Sequence, residues 1–192
     1  NCKNQNVAQV VVNPSPTVTV NSSTICVGQQ TATLTASGAS TYSWSPANTL
    51  SSSTGATVFA IPNSAAHYTV TGTSAANCAS TATANVFVNA LPVVSTNTVA
   101  PDCAPLCSGF WATSTPTATA YSWSFGNGMP TSNLASPTQC FTLSGTYPVK
   151  VVVTDINGCH NTAGTSVNVL AIPVADFDYG PKPVSVLAPE VQ

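Results

Sequence analysis

The sequence predicts an all-β protein built of tandem β-sandwiches stapled by disulfides. Three observations carry that expectation. Alternating runs of strand-forming residues fill the chain, seven cysteines are scattered through it, and one pattern recurs about every 80 residues. Alternation of polar and apolar residues is the signature of a half-buried strand. It runs through Thr31–Ala36, Thr41–Ser45, His67–Thr71 and Ala82–Val88. It returns through Cys107–Ala112, Ala120–Phe125, Thr146–Val153 and Thr165–Leu170. Turn clusters of Gly, Ser, Asn and Pro separate these runs, and no stretch sustains a helical period. Tyr68 and Tyr147 sit inside such runs, as do Trp44 and Trp123, and all four are expected in the core.

The cysteines set the compartment. Cys2, Cys26, Cys78, Cys103, Cys107, Cys140 and Cys159 include no C-x-x-C pair, and only His67 and His160 could join them around a metal. Zinc sites need closely spaced Cys and His pairs. The cysteines therefore read as disulfides, which persist in an oxidising, extracellular setting.

The repeat divides the chain. Asn1-Cys2, Asn77-Cys78 and Gly158-Cys159 each open a polar turn, a Val-rich strand and then a proline, at spacings of 76 and 81 residues. Proline has no N–H to give a sheet, so Pro14 and Pro16, Pro92 and Pro173 mark linkers. Residues 1–13 are expected to be the last strand of an upstream domain. Residues 14–90 and 91–172 form two whole sandwiches, and 173–192 begin a further one. On this phasing Cys2 has its partner upstream; a free thiol or an intermolecular bridge are the other readings.

Each whole unit carries Cys, Trp and Cys in order: Cys26, Trp44 and Cys78, then Cys103, Trp123 and Cys159. A central tryptophan beside an inter-sheet disulfide is the immunoglobulin-type arrangement. The expected bridges are Cys26–Cys78, Cys103–Cys159 and Cys107–Cys140. The four cysteines of the second unit allow three connectivities, of which this is the favoured one.

The second unit holds Tyr121–Gly128 (YSWSFGNG), Ser136–Phe141 (SPTQCF), Gly145–Val149 (GTYPV) and Val153–Cys159 (VTDINGC). In that order these stretches resemble a PKD (polycystic kidney disease) domain. Ser124 and Asn127 stand where the family has acidic residues. Val174–Phe177 and Leu187–Val191 look like the start of another such domain. Residues Thr24–Gly28, Tyr42–Pro46 and His67–Thr71 are similar to the Ig-like modules that accompany PKD domains in large secreted proteins of Bacteroidetes-type bacteria. The resemblance implies an extracellular spacer or adhesin module, as in cell-surface adhesins of gliding bacteria.

Composition narrows the function further. Only 4% of residues are charged, with three basic and five acidic side chains in 192. That is too few for a phosphate-tracking or polybasic membrane surface, so nucleic acid is not expected, and no stretch approaches 18 consecutive apolar residues, so membrane insertion is not expected either. Neither histidine has a nucleophile and an acid at recognisable spacing, so no enzymatic activity is expected. No cofactor is expected. The weak metal candidates are Asp176 and Asp178, two apart on one strand face beside a linker, where calcium could rigidify a joint. Phe110 and Trp111 are adjacent, so one faces outward and could stack on a sugar or pack on a neighbour. Asn21–Ser23 is a glycosylation sequon. The function expected is a structural stalk or fibre segment of a secreted bacterial surface adhesin or filament. Its partners are neighbouring repeats, possible lateral copies and a possible glycan or surface ligand. The alternative is an accessory substrate- or glycan-binding module of a secreted hydrolase.

Overall fold

Alternation along the strands decides which face each one buries. In the computed structural model, which describes residues 8–175, β3 (Ala32–Ser37) buries Ala32, Leu34 and Ala36 and exposes the residues between. The strand β6 (Ala66–Thr73) buries Tyr68, Val70 and Gly72 in the same way. The described residues hold strands and no helix, as the fold class requires.

The first sandwich has seven strands. Besides β3 and β6 they are β1 (Thr19–Val20), β2 (Ser23–Cys26), β4 (Thr41–Ser45), β5 (Thr57–Ala60) and β7 (Ala79–Asn89). One sheet has the order β1-β3-β5, the other β2-β7-β6-β4. Between them lies a core of Leu34, Trp44, Val58, Tyr68, Val70 and Val86 with smaller neighbours.

The second sandwich repeats this topology in β8 (Val93–Thr96), β9 (Asp102–Cys103), β10 (Leu106–Gly109), β11 (Ala112–Thr115), β12 (Ala118–Ser124), β13 (Thr138–Phe141), β14 (Gly145–Asp155) and β15 (His160–Leu170). One sheet is β12-β14-β15-β9, and pairs β8-β11 and β10-β13 face it. In the first sandwich β3 meets β5 with its early residues and β1 with its last two. In the second, β10 meets β13 and β11 meets β8. The strands β10 and β11 together therefore stand for β3. The core is aromatic: Phe110, Trp123, Phe125, Phe141 and Tyr147 with five buried β14 and β15 valines.

An asparagine manages the hand-over between partners in both units. The Asn21 side chain donates to Thr33 O (2.9 Å) and accepts from Thr35 N (2.6 Å). The Asn97 side chain donates to Gly109 O (3.1 Å) and accepts from Trp111 N (2.9 Å). Each amide acts as a one-residue strand where β1 or β8 has ended. Residues 34 and 110 point inward from between the bonded positions, so Phe110 is buried and Trp111 is 55% exposed. The sequon residue Asn21 is thus already engaged by the fold. Asn97→Ala should cost about 1–2 kcal/mol, the worth of two partly exposed hydrogen bonds. Urea denaturation checks this, and no change in midpoint would remove the structural role.

The two tyrosines are anchored at equivalent places, third in β6 and third in β14. The Tyr147 hydroxyl donates to Leu143 O at 2.8 Å, four residues upstream, which is the geometry of a tyrosine corner. Tyr68 instead shares a 2.6 Å hydrogen bond with Thr49 Oγ1. One glycine is obligatory in the first unit. Gly38 has φ +96°, and a Cβ there would meet Thr17 O at 1.8 Å. Gly38→Ala should cost more than the roughly 1 kcal/mol of an ordinary turn substitution, because strain adds to overlap. A melting temperature equal to that of the parent chain would show that the turn relaxes freely.

Residues 8–13, within the Val-rich run expected to close an upstream unit, carry no strand, and Val10, Val11 and Val12 are exposed. A last strand such as β7 is held between two neighbours, β2 and β6; among the described residues this run has none.

Candidate functional site

The place where the two sandwiches meet has the most built structure outside the cores. The strand β7 ends at Asn89, and β8 begins at Val93 after Ala90, Leu91 and Pro92. Beside β7 runs β2, parallel to it, so that Cys26 lies opposite Asn89. Both strands reach the same pole of the first sandwich. From the second sandwich the β14–β15 turn approaches that pole with Cys159 directly before β15.

There Cys26 and Cys159 form a disulfide (S–S 1.98 Å) across 133 residues of sequence. Both cysteines are buried, at 1% and 0% exposure. Around them the junction is hydrogen-bonded. The Gln29 side chain donates to His160 O and accepts from His160 N (3.2 Å). Asn161 Nδ2 donates to Pro92 O at 2.9 Å, and Pro92 itself is buried. Two covalent links, the three-residue linker and the disulfide, therefore leave the first sandwich from adjacent strand ends, about 5 Å apart at normal strand spacing.

This pairing corrects two expected bridges, Cys26–Cys78 and Cys103–Cys159. The physical reason is the direction of β2 and β9. Cys26 is level with the last residue of β7, whereas Cys78 precedes its first. Eleven strand residues separate those levels, roughly 35 Å at about 3.3 Å each. Cys103 is level with Leu170 at the end of β15, and Cys159 precedes its start. A disulfide needs Cα atoms within about 7 Å, so neither pair can close. The tryptophans consequently have no inter-sheet disulfide beside them. Trp44 is 4% exposed and donates from Nε1 to Gly55 O (2.9 Å); Trp123 is fully buried and donates to Leu134 O (3.0 Å).

Cys107 and Cys140 are joined (S–S 2.03 Å). They face each other in register on β10 and β13, so the bridge ties two strands of one layer. Cys78 and Cys103 are free thiols, half-buried and exposed respectively. Cys2, Asp176 and Asp178 lie outside the described residues.

The histidines are not drawn into a common site. His67 Nδ1 lies 2.7 Å from Asn85 Oδ1 on the exposed face of β6 and β7, and His160 stands at the junction. Among the described residues no group of three or more His, Cys, Asp or Glu side chains gathers as a metal site would require. Among them no helix is long and apolar enough to cross a membrane. Asp155 is the one buried charged or polar side chain among the described residues, 2% exposed. Its Oδ1 accepts from Asn157 N (2.8 Å) and Cys159 N (2.9 Å), which shapes the turn that presents Cys159.

Gln29 and Asn161 escaped the sequence reading, and Pro92 was expected only as part of a linker. Their neighbours in space are set by the parallel course of β2, which no local pattern announces. A signal for the bridge did exist. Cys26 and Cys103 each follow the end of a last strand or linker at similar spacing, and Cys78 and Cys159 each precede a last strand. The cysteines thus form two columns at opposite poles.

Residues 89–169 match the family model of the PKD domain. Among solved structures, the chain is similar to a PKD domain of the Epp protein of Vibrio anguillarum, at 27% identity, covering 43% of this chain and 96% of that one, with a TM-score of 0.37. It is similar at 30% identity to a PKD domain of the metalloprotease PrtV of Vibrio cholerae, covering 37% and 98%, with a TM-score of 0.28. A Ca2+-stabilised, ice-binding adhesin of an Antarctic bacterium aligns at 13% identity over 83% of this chain and 49% of that one, TM-score 0.48. No curated protein matches the chain.

Proposed function

Through residues 89–169 the chain belongs to the PKD-domain family, and from that premise we propose that it is a rigid extracellular spacer, a stalk or fibre segment of a secreted bacterial surface adhesin or filament, without catalysis of its own. The observation that carries this reading is the doubly tethered junction. A catalytic or recognition pair of domains profits from a cleft or a hinge between them. Here the space is filled by a buried proline, a buried disulfide and three hydrogen bonds. In each sandwich the longest strands, eleven residues, start or end at the pole where the junction lies. Two disulfides also support an oxidising location. The low charge suits neighbours packing end to end without repulsion.

The test is backbone 15N relaxation on the native chain and on a chain carrying Cys26→Ser and Cys159→Ser together. In the native chain both sandwiches should tumble with one shared correlation time. The double variant should keep both folds but show shorter and unequal times. Independent tumbling in the native chain would end the spacer reading.

Trp111 supports a second reading, an accessory binding module. Its ring is 55% exposed beside Thr96, Asn97 and Thr113 on one open sheet surface. Saturable quenching of its fluorescence by a polysaccharide, abolished by Trp111→Ala, would favour that module over the spacer.

A further inference from the structure

The two free cysteines occupy the same topological positions as the two that bridge the junction. Cys103 is the counterpart of Cys26. Each ends the short strand that runs parallel to the last strand of its sandwich, and each lies opposite that strand's final residue, Leu170 or Asn89. Cys78 is the counterpart of Cys159. Each stands directly before the last strand, after a residue of positive φ, Asn77 at 62° or Gly158 at 77°.

The turns that present this second pair match bond for bond. Ser74 N donates to Cys78 O and Asn77 N to Ser74 O, both at 2.9 Å. Asp155 N donates to Cys159 O (2.9 Å) and Gly158 N to Asp155 O (3.1 Å). In both turns the cysteine N–H is capped by the side chain four residues earlier, from Ser74 Oγ at 3.2 Å and from Asp155 Oδ1 at 2.9 Å. Position in the molecule agrees as well. Cys78 Sγ lies 3.6 Å from Asn13 O, so it borders the segment entering the first sandwich. Ala104, next to Cys103, donates from its N–H to Leu170 O, at the pole where the chain leaves the second sandwich. The paired cysteines are buried because a neighbouring sandwich covers them. Cys103 is exposed and Cys78 half-buried.

We propose that Cys78 and Cys103 are the open halves of a disulfide ladder that staples each sandwich to the next, Cys78 taking a strand-end cysteine of a preceding repeat and Cys103 a turn cysteine of a following one. The proposal rests on the spacer reading and gives that spacer its rule of assembly. The strand-end cysteine of one repeat joins the turn cysteine of its successor, as Cys26 joins Cys159. Residues 173–192 hold no cysteine that could serve as the turn partner of Cys103.

The chemistry balances with a disulfide oxidant such as oxidised glutathione. The thiolate of Cys103 attacks one glutathione sulfur, forms a mixed disulfide and releases one glutathione thiolate. The turn-cysteine thiolate of the following repeat then attacks the Cys103 sulfur and expels the second. Two protein thiols lose two electrons and two protons, and one glutathione disulfide becomes two glutathiones.

The experiment recreates the junction. In a tandem chain, residues 1–173 are followed directly by residues 17–192, so that Cys103 of the first unit and Cys78 of the second stand as Cys26 and Cys159 do. After equilibration in a glutathione redox buffer, non-reducing peptide mapping should find the Cys103–Cys78 bridge in most molecules. Cys103→Ser in the first unit should abolish it and leave Cys26–Cys159 intact in both. Maleimide labelling of the native 192-residue chain should modify Cys78 and Cys103 and spare Cys26, Cys159, Cys107 and Cys140. Persistent free thiols at both positions of the tandem would overturn the ladder, as would a bridge from Cys78 to Cys2. If Cys26–Cys159 is found and the new bridge is not, the ladder alone fails. If Cys26–Cys159 itself is missing, the spacer reading fails with it.

Discussion

Stretched from its two ends, the oxidised chain should extend far less than its length allows, and reduction should add roughly 440–480 Å. The figure follows from one loop. Cys26–Cys159 closes 133 residues, and an extended chain spans about 3.3–3.6 Å per residue. Force entering before β2 passes through the sulfurs into β15 and bypasses everything between. Both aromatic cores lie within the bypassed loop, so the sandwiches can be loosened by force without being drawn out. The inner bridge makes the result separable. Cys107–Cys140 encloses 33 of those residues. Replacing Cys26 by Ser should therefore release about 100 residues, and subsequent reductant about 110 Å more. Single-molecule stretching reads both increments. One unfolding length in all three conditions would show that the force does not run through Cys26 and Cys159.

The same disulfide stabilises the closed state against the unfolded one. On the chain-entropy relation a loop of this size is worth about 5 kcal/mol, and the 33-residue loop about 4. Small sandwiches have small cores, so staples of this size are a large part of what keeps each unit folded.

How much of this was legible beforehand differs by level. Period-two alternation placed the strands, because burial on one face of a sheet imposes that period regardless of what lies across it. The burial of Trp44, Trp123, Tyr68 and Tyr147 follows from the same alternation. The spacing sorts the cysteines into two columns, but that Cys26 meets Cys159 was not legible, because it depends on β2 running parallel to β7. A parallel neighbour puts the ends of two strands at one pole, while the expected bridge assumed that Cys26 and Cys78 were level. Two residues of β9 make the same point: Asp102 and Cys103 are too few to show any period, yet their register sets where the thiol lies. Adjacent Phe110 and Trp111 were known to diverge; which one turned inward was set by Asn97, fourteen residues away from Trp111.

The largest single-residue loss of stability is expected at Trp123. Its ring is fully buried and lies parallel to Phe125, with centroids 6.3 Å apart and planes 4° apart. Phe110 packs on it from the opposing layer at 6.0 Å. Its indole N–H supplies the hydrogen bond to Leu134 O, which holds the long β12–β13 connection against the sheet. Trp123→Ala removes the ring from a core that β14 keeps rigid through Val149, Val151 and Val153, so the cavity collapses little. The expected cost is about 3–5 kcal/mol, a large part of the 5–15 kcal/mol typical of a whole domain. Trp123→Phe should cost less, since it keeps an aromatic ring and loses mainly the bond to Leu134 O. Trp111→Ala should stay within about 0.5 kcal/mol, because that ring is 55% exposed. Urea denaturation under non-reducing conditions measures all three. A Trp123→Ala loss no larger than that of Trp111→Ala would mean that the second core is not organised around the β12 tryptophan.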